Sequence, residues 1–273
     1  RLILYLGGGV VALAVAVAAV LLLSGNGADP SPASPATPST PKTPPDEKPA
    51  LPEKTESQKN AKASRTADDL HAALKAANPD YDRNGEFKLE NGQFAAADFS
   101  RGWKHIGDLS PLQGLPLHTL DFGVNAITTI RDLAPLRGMP LRCLLIGGRD
   151  IADLSPLRGM PLKTLVLYAT SVGDLSPLRG MALEMLSLCE SNQVHDFAAL
   201  QGMPLRVLWA DSADAAQLLP CLSGAPLEEI NLDRTNLADL SPLRSAPLRL
   251  LGINSTAVAD LSPLAGMPLE AIH

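Results

Sequence analysis

Asp153-Leu-Ser-Pro-Leu-Arg-Gly-Met-Pro-Leu162 recurs almost unchanged from Asp174 and in outline from Asp260, and looser copies bring the total to eight. The glycine of this phrase, or its substitute, falls at Gly114, Gly138, Gly159, Gly180, Gly202, Gly224, Ser245 and Gly266, so the spacings are 24, 21, 21, 22, 22, 21 and 21 residues. A period of about 20–29 residues held over so many intervals predicts one small unit stacked on itself, a solenoid.

The stretch after each phrase reads as a short strand. In Leu162-Lys-Thr-Leu165-Val-Leu167 and Leu227-Glu-Glu-Ile230-Asn-Leu232, alternation sends Leu165 and Leu167 to one face and Val166 to the other. A second apolar residue follows about five positions later, at Ile127, Ile151, Val172, Val194, Leu237 and Val258. The phrase then turns the chain. Ser155 is placed to accept from the free amides of a helical or 3₁₀ turn, and Pro156 suits its first position, where no donor is required. Gly159 lets the backbone leave and Pro161 stops further helix. One coil cannot enclose its own leucines. Stacked coils can, at about 25 cal/mol per Å² of apolar surface removed from water.

The pattern matches the leucine-rich repeat, an α/β solenoid or horseshoe with a parallel sheet on its concave side. The Asp-Leu-Ser-Pro-Leu…Gly-Met-Pro-Leu form resembles the short repeats of large planctomycete-type bacterial proteins. Many of those are membrane-spanning serine/threonine protein kinases, with a cytoplasmic kinase domain, one membrane helix, a proline-rich tether and an outer repeat domain. The resemblance covers roughly residues 65–273 by motif and the whole chain by layout.

Upstream of the repeats the composition changes twice. Residues 2–23 hold 22 uncharged, mostly apolar positions. As helix they would span about 33 Å, against about 30 Å of hydrocarbon. Residues 1–23 are therefore expected to be a transmembrane helix, longer than the apolar region of a signal peptide. Arg1 favours a cytoplasmic N-terminal side and an extracytoplasmic repeat domain. Residues 24–64, with nine prolines and no apolar period, read as a disordered Pro/Ser/Thr-rich linker.

Residues 65–107 are expected to form an N-terminal cap. Thr66 and Asp69 suggest a capping box, with Leu70, Ala73, Leu74 and Ala77 on one helical face and Pro79 ending it. Phe87 to Ala95, turning at Asn91-Gly92, reads as a hairpin in which Leu89 faces Phe94; Phe99 and Trp103 complete the cap. Residues 108–273 hold the repeats, and Ile272-His273 fall inside the eighth strand pattern, as if the last repeat were truncated.

Catalytic and metal-binding signals are weak. Asp80, Asp82, Asn84 and Gly85 imitate the start of a calcium loop, but position 12 is Asn91 and Glu90 comes one place early. Five histidines show no ligand spacing, and three cysteines in separate coils suggest neither a disulfide framework nor a zinc site. Gly7-Gly8-Gly9 lacks a phosphate loop's context, and no nucleophile elbow or kinase motif appears. The expectation is a chain without a catalytic site, cofactor or metal. Lys and Arg number 23 against 29 Asp and Glu, a net −6, which argues against a nucleic-acid partner. Arg137, Arg158, Arg179 and Arg244 recur at one repeat position and read as solvated surface.

The concave face is the candidate binding surface. Asp121, Leu145, Val166, Ser187, Trp209, Asn231 and Gly252 occupy the outward strand position. Gly123, Gly147, Tyr168, Cys189, Asp211, Asp233 and Asn254 lie two places on. Leu145, Val166, Tyr168 and Trp209 would then form an exposed apolar patch beside Glu229, Asn231, Asp211 and Asp233, suited to a protein or peptide ligand, including a cell-envelope component. The alternative role for Trp209 is to cover the sheet where the irregular fifth and sixth repeats distort it; the sixth, Leu218-Leu-Pro-Cys221, departs from the phrase. The layout implies the outer, protein-binding sensor part of a receptor-like kinase whose catalytic domain lies outside this chain. The alternative is a passive anchored scaffold or adhesion module.

Overall fold

A computed structural model describes residues 65–101, 106–123 and 128–273. The expected transmembrane helix (1–23) and linker (24–64), together with Trp103, His105 and Ile127, lie outside the described residues. Among those that are described, no helix is long and apolar enough to cross a membrane.

The first element among the described residues is helix α1, Ala67–Ala77, whose start follows from its sequence. Thr66 Oγ1 accepts from the Asp69 amide at 3.1 Å, and the Asp69 carboxylate accepts from the Thr66 amide at 2.9 Å. Asn78 ties the other end to the first coil. Its side chain donates to the carbonyls of Leu74 and Asp108 and accepts from the amides of Gly107 and Asp108. Strands β1 (Glu86–Glu90) and β2 (Gln93–Asp98) form the hairpin, with Leu89 opposite Phe94 as the turn dictates. Tyr81, Phe87, Phe94, Phe99 and Phe122 meet mostly edge to face beneath it.

Each repeat then contributes one short strand: β3 Thr119–Asp121, β4 Cys143–Gly147, β5 Thr164–Tyr168, β6 Met185–Ser187, β7 Val207–Trp209, β8 Glu229–Asn231, β9 Leu250–Gly252 and β10 Ala271–Ile272. All ten strands lie in one sheet in chain order. The sheet is parallel from β2 onward, and β2 pairs directly with β3. The hairpin therefore extends the sheet as well as shielding the first coil, which gives it an antiparallel edge that an all-parallel reading does not contain.

The register explains the leucines. Leu120, Leu144, Leu165, Leu186, Leu208, Ile230 and Leu251 sit side by side across seven strands and are essentially inaccessible. Each such side chain contributes about 1.5–3 kcal/mol by burial. Between coils, one carbonyl accepts two amides from the next: Arg142 O takes those of Lys163 and Thr164, and Lys163 O those of Glu184 and Met185. The same pattern continues through Arg249 O. Along this edge run the ion pairs Lys163–Glu184, Arg206–Glu228 and Arg249–Glu270.

The turn phrase forms a three-residue 3₁₀ helix in seven coils, as at Ser155–Leu157 and Ser176–Leu178. Its capping differs from expectation. The serine does not cap; the aspartate two residues earlier does. Asp153 accepts from the Ser155 amide at 2.7 Å, while the Ser155 hydroxyl donates back to Asp153 at 2.8 Å. Asp108, Asp132, Asp174, Asp196, Asp239 and Asp260 accept the corresponding amide in their own coils. Where Ala134 and Ala198 replace the serine, the aspartate bond persists. A serine at the first position of so short a turn lies too far along to reach its free amides; an aspartate before it does so as an Asx turn. Gly159 closes the turn at φ +72°. In the sixth coil the phrase is replaced by good helix formers, and the turn grows into helix α2, Ala215–Cys221, capped by Asp214.

Candidate sheet-face binding site

Strand alternation leaves one face of the sheet to residues other than the core leucines. Pairing places Asp121, Leu145, Val166, Ser187, Trp209, Asn231 and Gly252 in a single row across β3 to β9. Adjacent members are about 4.8 Å apart. Gly147 and Tyr168 start a second row toward the strand exits, where Cys189, Asp211, Asp233 and Asn254 follow. Residues distant in sequence are thus brought to one surface by register alone.

The surface is less open than its sequence suggests. Leu145, Val166, Trp209 and Asp211 are 2, 0, 4 and 8 % exposed, whereas Tyr168, Glu229, Asn231 and Asp233 are half-buried. The expected exposed patch of Leu145, Val166, Tyr168 and Trp209 is therefore corrected to Tyr168 with a polar group. Part of the reason is register: apolar neighbours at strand spacing cover one another. For Trp209 the cause is direct. Its indole N–H donates to Glu229 Oε1 at 2.7 Å, which lays the ring toward β8. Trp209 thus takes the covering role that was the alternative for it. Burial pushes the Glu229 carboxyl up, and the bond from Trp209 opposes that rise.

On the strand-exit side polar groups run across four coils. Arg234 bonds through one nitrogen to Glu190 at 2.9 Å and to the Asp211 carboxylate. Asp211 also accepts from the Glu190 amide at 3.3 Å. Asp233 accepts from the Asn254 amide at 2.7 Å, and its own amide donates to Asn231 at 2.9 Å. Tyr168 lies near Glu190 and Asp211; burial first, then the negative charge of Glu190 ahead of that of Asp211, raises its phenol. Neither Glu190 nor Arg234 stands out in sequence. Each occupies the position just past the strand where the backbone adopts a positive φ, 59° and 60°, and a separation of 44 residues conceals the pairing. The one available signal is that this position carries charge in two coils but Gly148, Ala169, Ser212 or Ser255 in the other described coils from β4 to β9.

Burial pushes the Cys143 and Cys189 thiols up to about 12, so neither is poised as a nucleophile near neutral pH. Among the described residues no group of three or more His, Cys, Asp or Glu side chains is arranged to hold a metal ion. The pseudo-calcium segment is a turn in which Asp82 accepts from the amide of Asn84. What the sheet face offers chemically is hydrogen bonding, one aromatic ring and negative charge.

No family model matches the chain, and no curated protein does. Solved structures do. An internalin (inlF) from Listeria monocytogenes is 19 % identical over 75 % of this chain and 67 % of its own, with a TM-score of 0.51. Internalin C2 from the same species is 19 % identical over 75 % of this chain and 91 % of its own, with a TM-score of 0.45. The likeness to inlF is one of fold, and it agrees with a leucine-rich-repeat solenoid.

Proposed function

We propose that this chain is a non-enzymatic, protein-binding repeat module. It engages a protein or peptide through Tyr168, Glu229, Asn231 and Asp233, with Leu145, Val166, Trp209 and Asp211 as their support. The observation that carries this reading is the register, which lines up residues from seven coils on a single face of the sheet. The acidic side chains and the phenol favour a partner that presents basic and aromatic or aliphatic groups. The planctomycete-type repeat and the apolar run at 2–23 support the wider reading: a membrane-anchored, extracytoplasmic part of a receptor-like serine/threonine kinase. A cell-envelope protein is then the natural ligand.

The test places a photo-crosslinking amino acid at Tyr168 or, as control, at Arg158 on a 3₁₀ turn. Crosslinking of one partner from position 168, absent from 158 and abolished by Asn231→Arg with Asp233→Lys, supports the reading. Equal crosslinking from both positions, or none from either, defeats it. The kinase connection stands or falls on whether the reading frame ahead of Arg1 encodes a kinase domain.

A further inference from the structure

A cavity of about 350 Å³ opens between the loops that follow β6, β7 and β8. This falls within the roughly 300–1,000 Å³ of small-molecule sites. Leu188, Val194 and Phe197 give it an apolar floor, and all three are buried in the core cluster. Its polar lining divides into spent and unspent groups. Asp211 is committed to Arg234 and the Glu190 amide. Asp214 is committed to the Ala216 amide, Gln217 and Asn236. Arg234 uses only one terminal nitrogen for its two carboxylates, leaving Nε and the other terminal nitrogen to donate. The Asn192 amide, the His195 ring and the Ser212 hydroxyl are on exposed residues and have no hydrogen-bond partner among the described residues.

This distribution excludes most ligand classes. Two lining carboxylates against one guanidinium, with Glu190 adding a third negative group, repel phosphate and carboxylate ligands. A cation finds the carboxylates already bonded within the protein. What is left unsatisfied is one donor-only group and three that both donate and accept. A peptide offers isolated carbonyls and amides on alternate sides. A sugar ring offers adjacent hydroxyls that donate and accept, and a C–H face for the floor.

We propose that this cavity binds a short, neutral saccharide, its C–H face on Leu188, Val194 and Phe197 and its hydroxyls on Arg234, Asn192, His195 and Ser212. The site does not depend on the protein-binding reading of the sheet face. Saccharide binding with crosslinking at 168 absent, or the reverse, tells the two apart.

The experiment titrates the full chain with cellobiose and N,N′-diacetylchitobiose, with glucuronic acid and N-acetyl-leucinamide as controls, following binding by calorimetry and backbone amide resonances. At least one neutral disaccharide should saturate below about 10 mM and shift the amides of residues 191–195 and 212–214. Asn192→Ala and Ser212→Gly should each weaken it about tenfold, the loss of one hydrogen bond. Both replaced side chains are exposed and unbonded, and glycine accepts the φ of 62° at Ser212, so an unchanged thermal midpoint identifies folded variants. No saturation by either disaccharide, binding indifferent to both variants, or tighter binding of glucuronic acid or N-acetyl-leucinamide would overturn the proposal.

Discussion

Replacing Trp209 separates packing from recognition and does so with a pH signature. The indole is 4 % exposed and donates to the half-buried Glu229 carboxylate at 2.7 Å. Trp209→Phe keeps most of the buried ring but removes a hydrogen bond to a charged acceptor, a loss of about 1.5–3 kcal/mol. Trp209→Ala also empties the ring's volume and should cost about 3–5 kcal/mol. Glu229 supplies the pH dependence. Burial holds its folded pKa above the unfolded value, so the ionised carboxylate costs stability as pH rises from about 4.3 through the folded pKa. Without the indole that folded pKa rises further. The penalty of Trp209→Phe is then larger at about pH 8 and shrinks toward about pH 4, as more of the carboxyl becomes protonated in both proteins. Glu229→Gln keeps an oxygen for the indole without the buried charge, and should be neutral or stabilising near pH 8. Urea unfolding of the full chain at both pH values reads all three variants. An equal Trp209→Phe penalty at the two values, or a Glu229→Gln penalty larger than that of Trp209→Phe, would refute this account.

Four other outcomes are expected. Gly159→Ala, at φ +72° with open space where the new methyl would lie, should cost about 1–2 kcal/mol by backbone strain alone, and Gly159→Asn less, in urea unfolding. Asp153→Ala should lower the urea midpoint more than Ser155→Ala, because the aspartate holds the backbone and the serine only the aspartate. Bonds from the serine amides and hydroxyls hold the carboxyls of Asp153, Asp174 and Asp260 below the usual carboxylate range. Their contribution is present above the unfolded pKa of about 3.9 and is lost as pH falls through the lower folded values, visible as an acid limb in thermal unfolding. His71, whose Nδ1 lies 2.9 Å from the Tyr81 hydroxyl, has its pKa lowered first by burial and then by Arg83. Its contribution is full above about pH 6.5 and is lost as pH falls below that, so the amide protection of residues 67–99, corrected for the intrinsic exchange rate at each pH, should fall on acidification before that of 144–208. Unchanged protection of 67–99 down to about pH 5 would count against it.

Periodicity made the solenoid legible because coil spacing and strand alternation are properties of neighbouring residues. The capping box at Thr66 and the Leu89–Phe94 pairing were readable for the same reason. The outward row, from Asp121 to Gly252, also followed from alternation. Its exposure did not. Whether Val166 sees water depends on groups from other coils, and nothing local to Trp209 indicates that its indole reaches Glu229 twenty residues away. Asp153 was overlooked as the cap because serine before proline is the more familiar helix start, and a turn of only three residues shifts the capping position back by two. Arg234 was invisible because its partners come from two earlier coils.

The strand-entry edge carries a rule of sign. From Lys163 to Glu270, successive coils present positive, negative, positive, negative, positive, negative, coupled in twos as Lys163–Glu184, Arg206–Glu228 and Arg249–Glu270. Each coupling is solvent-exposed and worth little alone. Yet excising one coil would set two like charges side by side, while excising two would leave the alternation whole. Within this run, the unit whose removal keeps the pairing is therefore a doublet of coils, about 43 residues, whereas the preceding coil sets Arg142 beside Lys163 and stands outside the alternation.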